Sequence, residues 1–310
     1  MRNNDEGSTR NLRLEKRLAK YLLTLKQGDQ LQSTRELAGM FEVSIGSISS
    51  TLKYLEEHGA AMIHRRGHLG SFLEHRSPGV LWNIIEEGPM VIAQTLPSFP
   101  KCEGLATAIY SLLNDYEIET YLIFIRGSYN RIRALKDGRC HAAIMSELAA
   151  DALCGEELKI VLRLPPGSFV TDHRVFYRPT EPGSSKRLRV GLDYESFDIE
   201  YLTKLEFAED EVDFQEMSLM QIDLHLESSL VDAAISNHDH LERLKSSGRL
   251  ASRPLSPRVQ SLIGERDTSA VVITRSDAEA VRIVLEEILD PTEILKIQQK
   301  VVDRQMVPRY

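Results

Sequence analysis

The chain has 310 residues, 42% of them hydrophobic and 27% charged, an ordinary balance for a folded globular protein and a length too great for one small core. No stretch approaches the roughly 18 uncharged apolar residues of a membrane span, and MRNNDEGSTRNLRLEKRLAK lacks the apolar run of a secretory leader, so a cytoplasmic protein with no membrane partner is expected. The net charge of −8 is unevenly spread, since residues 1–76 hold 12 Lys and Arg against 9 Asp and Glu while the remainder holds 26 against 37. A basic first quarter on an acidic body points to an anionic partner for that quarter alone. Cys102, Cys140 and Cys154 form no C-x-x-C pair and read as buried thiols in a reducing compartment.

Leu14, Leu18, Tyr21, Leu22 and Leu25 recur at helical spacing and predict a first helix of about 13 residues that Gly28 ends. Ser33-Thr34-Arg35-Glu36 is a Ser-x-x-Glu capping box, opening a short helix that stops near Phe41-Glu42. Ser44 caps a third helix, whose stripe Ile45, Ile48, Leu52 and Leu55 runs to Gly59. Two short helices around a tight turn have helix-turn-helix geometry. Ala61 to Arg66 reads as a strand, Gly67-His68-Leu69-Gly70 as a turn, and Ser71-Phe72-Leu73 as the returning strand of a wing.

The run from Leu31-Gln32-Ser33-Thr34-Arg35-Glu36-Leu37-Ala38 through Val43-Ser44, Ser47-Ile48, Leu52 to Gly59, Arg65-Arg66 and Gly70-Ser71-Phe72 resembles the winged helix-turn-helix domain of the GntR family of bacterial regulators, over roughly residues 14–75. The resemblance implies that Ser33, Thr34 and Arg35 hold phosphates at a helix N-terminus. It also implies that Ser44, Ser47, Ser49, Ser50 and Lys53 face the major groove of double-stranded DNA, with Arg65, Arg66 and His68 carrying the wing. Two positions depart from the family: Gln32 stands where Pro is usual, and Ile45 and Ser49 stand where Arg is common. Without those arginines the helix is expected to read bases through hydroxyls or shape.

His75-Arg76-Ser77-Pro78-Gly79 marks a boundary, giving a DNA-binding domain over 1–75, a linker over 76–88 and a ligand-sensing domain over 89–310. Trp82 in the linker could anchor it or sit at a subunit contact. From Met90 strands and helices interleave, which predicts parallel sheet. Strands are expected at Met90–Ala93, Glu119–Ile125, Cys140–Ile144, Leu188–Leu192, Val231–Ile235 and Ala270–Thr274. Helices are expected at Leu105–Leu113 and Tyr129–Lys136, and a third opens at the capping box Ser276-x-x-Glu279 and ends before Pro291. His141-Ala142-Ala143-Ile144 and Asp232-Ala233-Ala234-Ile235, 91 positions apart, each follow a short helix and a tight turn. Such an echo suggests two similar lobes and resembles the type 2 periplasmic-binding-protein fold used as an effector domain by many regulators. The fold class is therefore α/β: a small α+β winged helix-turn-helix domain followed by a two-lobed α/β domain of that type. That combination resembles the YhfZ group of bacterial regulators.

Ligands in open α/β sheets bind beyond the carboxyl ends of strands. The residues there are Gln94, Thr95 and Ser98, then Arg126, Gly127 and Ser128, then Ser146, Asp193 and Tyr194, and finally Ser236 and Asn237. Arg126-Gly127-Ser128 suits a carboxylate or phosphate effector. There is no Gly-x-Ser-x-Gly elbow, P-loop, HExxH or dinucleotide fingerprint, so no enzyme, cofactor or metal is expected, and His238-Asp239-His240 reads as solvated loop. A ligand-responsive homodimeric regulator is the leading reading, and a solute-binding protein or an enzyme on the same scaffold is the alternative.

Overall fold

The structure is a computed structural model describing residues 3–86, 88–178, 187–208, 211–240 and 250–310. It divides into two compact units, one of Met1–Met90, Ser111–Tyr121 and Ala278–Asp290, the other of Val91–Tyr110, Leu122–Asp277 and Pro291–Tyr310.

The first unit begins with α1 (Asn3–Thr24), α2 (Thr34–Phe41) and α3 (Ile45–Glu57). The hairpin β1 (Ala61–Arg65) and β2 (Ser71–Arg76) follows, and then α4 (Pro78–Ile85). The first helix is longer than the leucine spacing suggests, because a polar segment precedes the apolar stripe. The tight turn after α2 is closed by Glu42 in the left-handed region (φ +57°), while Val43 N–H donates to Ala38 O. Leu18, Leu22, Leu37, Ile48, Leu55 and Leu73 are fully buried, each contributing about 1.5–3 kcal/mol of transfer free energy. The segment read as a linker contains α4, which packs on α1 and on the helix Glu279–Ile288, and Trp82 is fully buried in this unit. Gly79 is required there: a Cβ would lie 1.7 Å from Tyr116 O.

The remaining strands form two five-stranded sheets that lie in the second unit, apart from Met90 and Thr120–Tyr121, which count with the first. The first sheet has the order β4-β3-β5-β12-β6, built from β3 (Met90–Gln94), β4 (Thr120–Phe124), β5 (Ala142–Ser146), β6 (Leu158–Arg163) and β12 (Ala270–Arg275). The second has the order β11-β7-β10-β8-β9, built from β7 (His173–Tyr177), β8 (Leu188–Leu192), β9 (Val212–Glu216), β10 (Ala233–Asn237) and β11 (Ala251–Pro254). The echoed segments β5 and β10 are the central strands of the two sheets, each with a parallel neighbour on one side and an antiparallel neighbour on the other. Both sheets are thus mixed, which corrects the expectation of parallel pairing. The chain crosses between sheets before β7 and again before β12, so each crossing strand enters its sheet from the opposite end.

Helices flank each sheet, among them α5 (Pro100–Asp115), α6 (Ser128–Lys136), α7 (Glu147–Leu153), α8 (Phe197–Glu206), α9 (Ile222–Glu227) and α10 (Pro257–Ile263). Ala143, Met145, Val271 and Ile273 centre one core, and Val175, Val190, Ile199 and Ile235 the other. The capping box expected at Ser276 does not form: Ser276 Oγ donates to Glu156 O at 2.6 Å, and the helix starts at Glu279 after Ala278, which provides no side-chain cap.

Candidate nucleic-acid interface and ligand cleft

In the first unit, Ser33 Oγ accepts from Glu36 N–H at 3.2 Å and Glu36 carboxylate accepts from Ser33 N–H at 2.8 Å, so the box at the start of α2 is closed on itself. These bonds hold the Glu36 carboxyl below its usual range. Gln32, in the place of a proline, donates its N–H to Tyr21 Oη at 2.9 Å, a bond that proline cannot make. Thr34 and Arg35 are exposed beside it.

Helix α3 presents a hydroxyl face. Ser44 Oγ accepts from Ser47 N–H at 3.0 Å and lies 2.9 Å from Ser47 Oγ, while Ser49 Oγ donates to Ile45 O at 3.1 Å and Ser50 Oγ to Ser47 O at 3.0 Å. With their protons turned back on the helix, Ser49 and Ser50 show oxygen lone pairs outward. Ile45 is 46% exposed on the same face, and Lys53, also exposed, pairs with Glu57 one turn on.

The two wing arginines have different surroundings. Arg65 makes a bidentate pair with Glu56 of α3, 2.5 Å from Nη2 and 3.2 Å from Nη1, which raises the guanidinium pKa and ties the hairpin to the helix. Arg66 lies 4.9 Å over the Phe72 ring with its charge exposed, and His68 is exposed in the turn. Ser33, Thr34, Ser49 and Arg65 line one groove of about 680 Å³ with Gln30, Gln32 and Ser71, so the capped helix, α3 and the wing share a single concave face.

In the second unit, a cavity of about 80 Å³ lies where the two sheets approach. Of the predicted ligand residues it brings together Thr95, Ser98, Arg126, Gly127, Asp193 and Asn237. Gln94, Ser128, Ser146, Tyr194 and Ser236 lie off it. Gln94 Nε2 donates to Cys102 O at 2.9 Å; Ser128 Oγ accepts from Phe197 N–H; Ser236 is fully buried; and Tyr194 is 46% exposed with Lys204 Nζ 5.6 Å over its ring. Ser146 caps α7 and donates to Asp198 at 2.7 Å.

Arg126 spans the cleft, donating to Ser218 Oγ at 2.5 Å and Asp193 Oδ1 at 3.3 Å. Asn130 bonds Glu195, and Tyr129 Oη donates to Glu200 at 3.2 Å. Gly127 (φ +80°) lets the two sides meet, since a Cβ there would lie 2.2 Å from Glu195 O.

Three ionisable residues on the cavity were not foreseen: Arg131, His173 and Asp198. Arg131 sits one turn along α6 from Ser128, a helical spacing that could have flagged it. His173 and Asp198 carry no local signal, because segments far apart in sequence bring them here. Burial would lower the His173 pKa, but a 2.7 Å bond to Asp267 and the charges of Asp267, Asp198 and Asp172 raise it overall. Burial raises the Asp198 carboxyl despite the charge of His173 and the Ser146 hydroxyl, and it pushes all three cysteine thiols up to about 11.

Residues 79–310 match the YhfZ C-terminal domain family and residues 26–73 a helix-turn-helix domain family. The chain is 32% identical over 294 residues to YhfZ of Escherichia coli, covering 94% of this chain and 95% of that one. The crystal structure of YhfZ from Shigella flexneri superposes with a TM-score of 0.60 at 29% identity, over 75% of this chain and 98% of that one. The periplasmic aliphatic sulphonate binding protein SsuA of Escherichia coli shares the fold alone, with a TM-score of 0.52 at 12% identity over 70% of this chain and 75% of that one. An N-terminal helix-turn-helix domain joined to a two-lobed periplasmic-binding-protein-like domain with mixed sheets, carrying these matches in that order, makes this chain a member of the YhfZ family.

Proposed function

We propose that this chain is a cytoplasmic transcriptional regulator that binds operator DNA as a homodimer through a GntR-like winged helix, and that a small metabolite in the cleft of its second unit controls it. The observation that carries this reading is the shared face of α2, α3 and the wing, where Ser33, Thr34, Ser49, Arg65 and Ser71 line one groove and Arg35, Lys53 and Arg66 lie exposed on the same three elements. Outward hydroxyl lone pairs suit donors such as adenine N6 and cytosine N4, and exposed Ile45 suits a thymine methyl group. Arg66 supplies the wing charge that no carboxylate pairs among the described residues, whereas the charge of Arg65 is partly offset by Glu56. No catalytic role is assigned, and a buried thiol that retains its proton at neutral pH is a poor nucleophile.

The test is a mobility shift on DNA upstream of the protein's own gene, across a salt series. Arg65→Ala with Arg66→Ala is expected to weaken binding and reduce the log–log salt slope by about 1 to 2. Single Arg66→Ala is expected to account for most of that change. Unaltered affinity and slope in the double variant would remove the wing from DNA recognition.

A further inference from the structure

We infer that the cleft takes a small organic monocarboxylate and that Arg131, rather than Arg126, holds its carboxylate group. This rests on the reading of the cleft as an effector site and names the chemistry of that effector.

The basis is a buried guanidinium that no carboxylate touches, although the charge of Asp198 acts on it from further off. Arg131 is 3% exposed and lines the cavity. Its Nη1 donates to Ile125 O at 2.9 Å, its Nε is buried with no hydrogen-bond partner, and among the described residues no carboxylate lies within 4.0 Å of it. Burial lowers its pKa to about 10, which leaves it a cation at neutral pH. A guanidinium stripped of water with no anion in contact is costly, and an arriving carboxylate relieves that cost with charge-assisted bonds. Arg126 has no such need, because Asp193 and Ser218 already engage it.

The rest of the cavity narrows the class. At about 80 Å³ it has room for on the order of five water-sized atoms. Leu96, Phe99, Val170, Ile199 and Leu219 form apolar walls that favour a compact carbon body. Arg126 pairs with Asp193 and His173 with Asp267, so Arg131 and Asp198 stay on the cavity wall without an ion-pair contact. A phosphate or dicarboxylate would set a second negative charge against Asp193 and Asp198, whereas a monocarboxylate does not. Amino, hydroxy and oxo acids share this chemistry and differ in what they offer Asp198.

The experiment uses the full chain, with calorimetry and thermal shift against acetate, pyruvate, L-lactate and L-alanine, against acetamide, lactamide and alaninamide, and against inorganic phosphate. At least one acid is expected to bind, with its amide at least about 100-fold weaker and Arg131→Gln losing binding by a similar factor. Preference for alanine or lactate over pyruvate would assign a donor facing Asp198. Should Arg131→Gln fail to fold, Arg131→Lys, which keeps the cation but loses the planar fork, takes its place and is expected to weaken acid binding by at least about 10-fold, undiminished binding overturning the assignment. Equal binding of acid and amide, binding of phosphate alone, no acid bound at millimolar concentration, or a folded Arg131→Gln of undiminished affinity would each overturn the inference. A neutral or phosphate ligand that alters DNA affinity would overturn it while leaving the regulator reading intact, whereas DNA affinity unresponsive to any ligand would remove the effector from both.

Discussion

Gly127→Ala separates the cost of backbone conformation from the closure of the cleft. At φ +80° and ψ 137° a residue with a side chain is strained, by about 1–3 kcal/mol whether the lobes are open or closed. At about 2–4 °C per kcal/mol for a domain of this size, that strain alone lowers Tm by about 2–12 °C. The added methyl also lies 2.2 Å from Glu195 O and 2.8 Å from its carbonyl carbon, well inside contact distance, and it meets them only when the lobes are together. Six residue pairs hold that closed state: Arg126 with Ser218, Arg126 with Asp193, Ser128 with Phe197, Tyr129 with Glu200, Asn130 with Glu195, and Ser146 with Asp198. At about 0.5–1.5 kcal/mol each they contribute roughly 3–9 kcal/mol in gross terms, less the entropy of ordering them. The variant is therefore expected to fold with its lobes apart. Small-angle scattering should show a larger radius of gyration, and hydrogen exchange should rise at Phe197 and Leu219, whose amides donate to Ser128 Oγ and Asp193 Oδ2 across and beside the cleft. A variant with unchanged scattering and unchanged exchange at those amides would refute the claim that Gly127 permits closure.

The pH dependence of stability follows from His173. Its folded pKa is raised above the ordinary value, so the stability it contributes is fully present below about pH 6.5 and is lost as pH rises through the folded value. Asp198, also raised, acts with the same sign at lower pH. Calorimetry from pH 6 to 8.5 should show the melting of the second unit falling as pH rises, and His173→Gln should flatten that fall. A transition that is level or climbs in the unaltered chain contradicts the assignment. In the first unit, Trp82→Ala removes a fully buried indole and is expected to cost about 3–5 kcal/mol, read as a lowered denaturation midpoint. A loss below about 1 kcal/mol would mean that α4 is not part of that core.

The local elements of this chain were legible because their causes are local. Leucine spacing placed α1, the Ser33 box placed α2 and the Ser44 cap placed α3, each within one or two turns of the residues that specify it. The alanine echo was legible for a similar reason: small residues mark strands on which helices lie close, and those strands proved to be the centres of both sheets. Tertiary structure decided the rest. Strand direction depended on where the chain crosses between sheets, which no window of sequence records, so mixed pairing replaced the parallel expectation. The partner of each charge was likewise hidden, since Arg65 met Glu56 on α3 and Arg126 met Asp193 and Ser218 across the cleft. Position in a motif marked Arg126 as the anion binder, yet it is Arg131 that burial leaves with an unbonded Nε and no ion-pair contact. Periodicity tells which face of a helix is buried; only the packed neighbours determine what it is buried against.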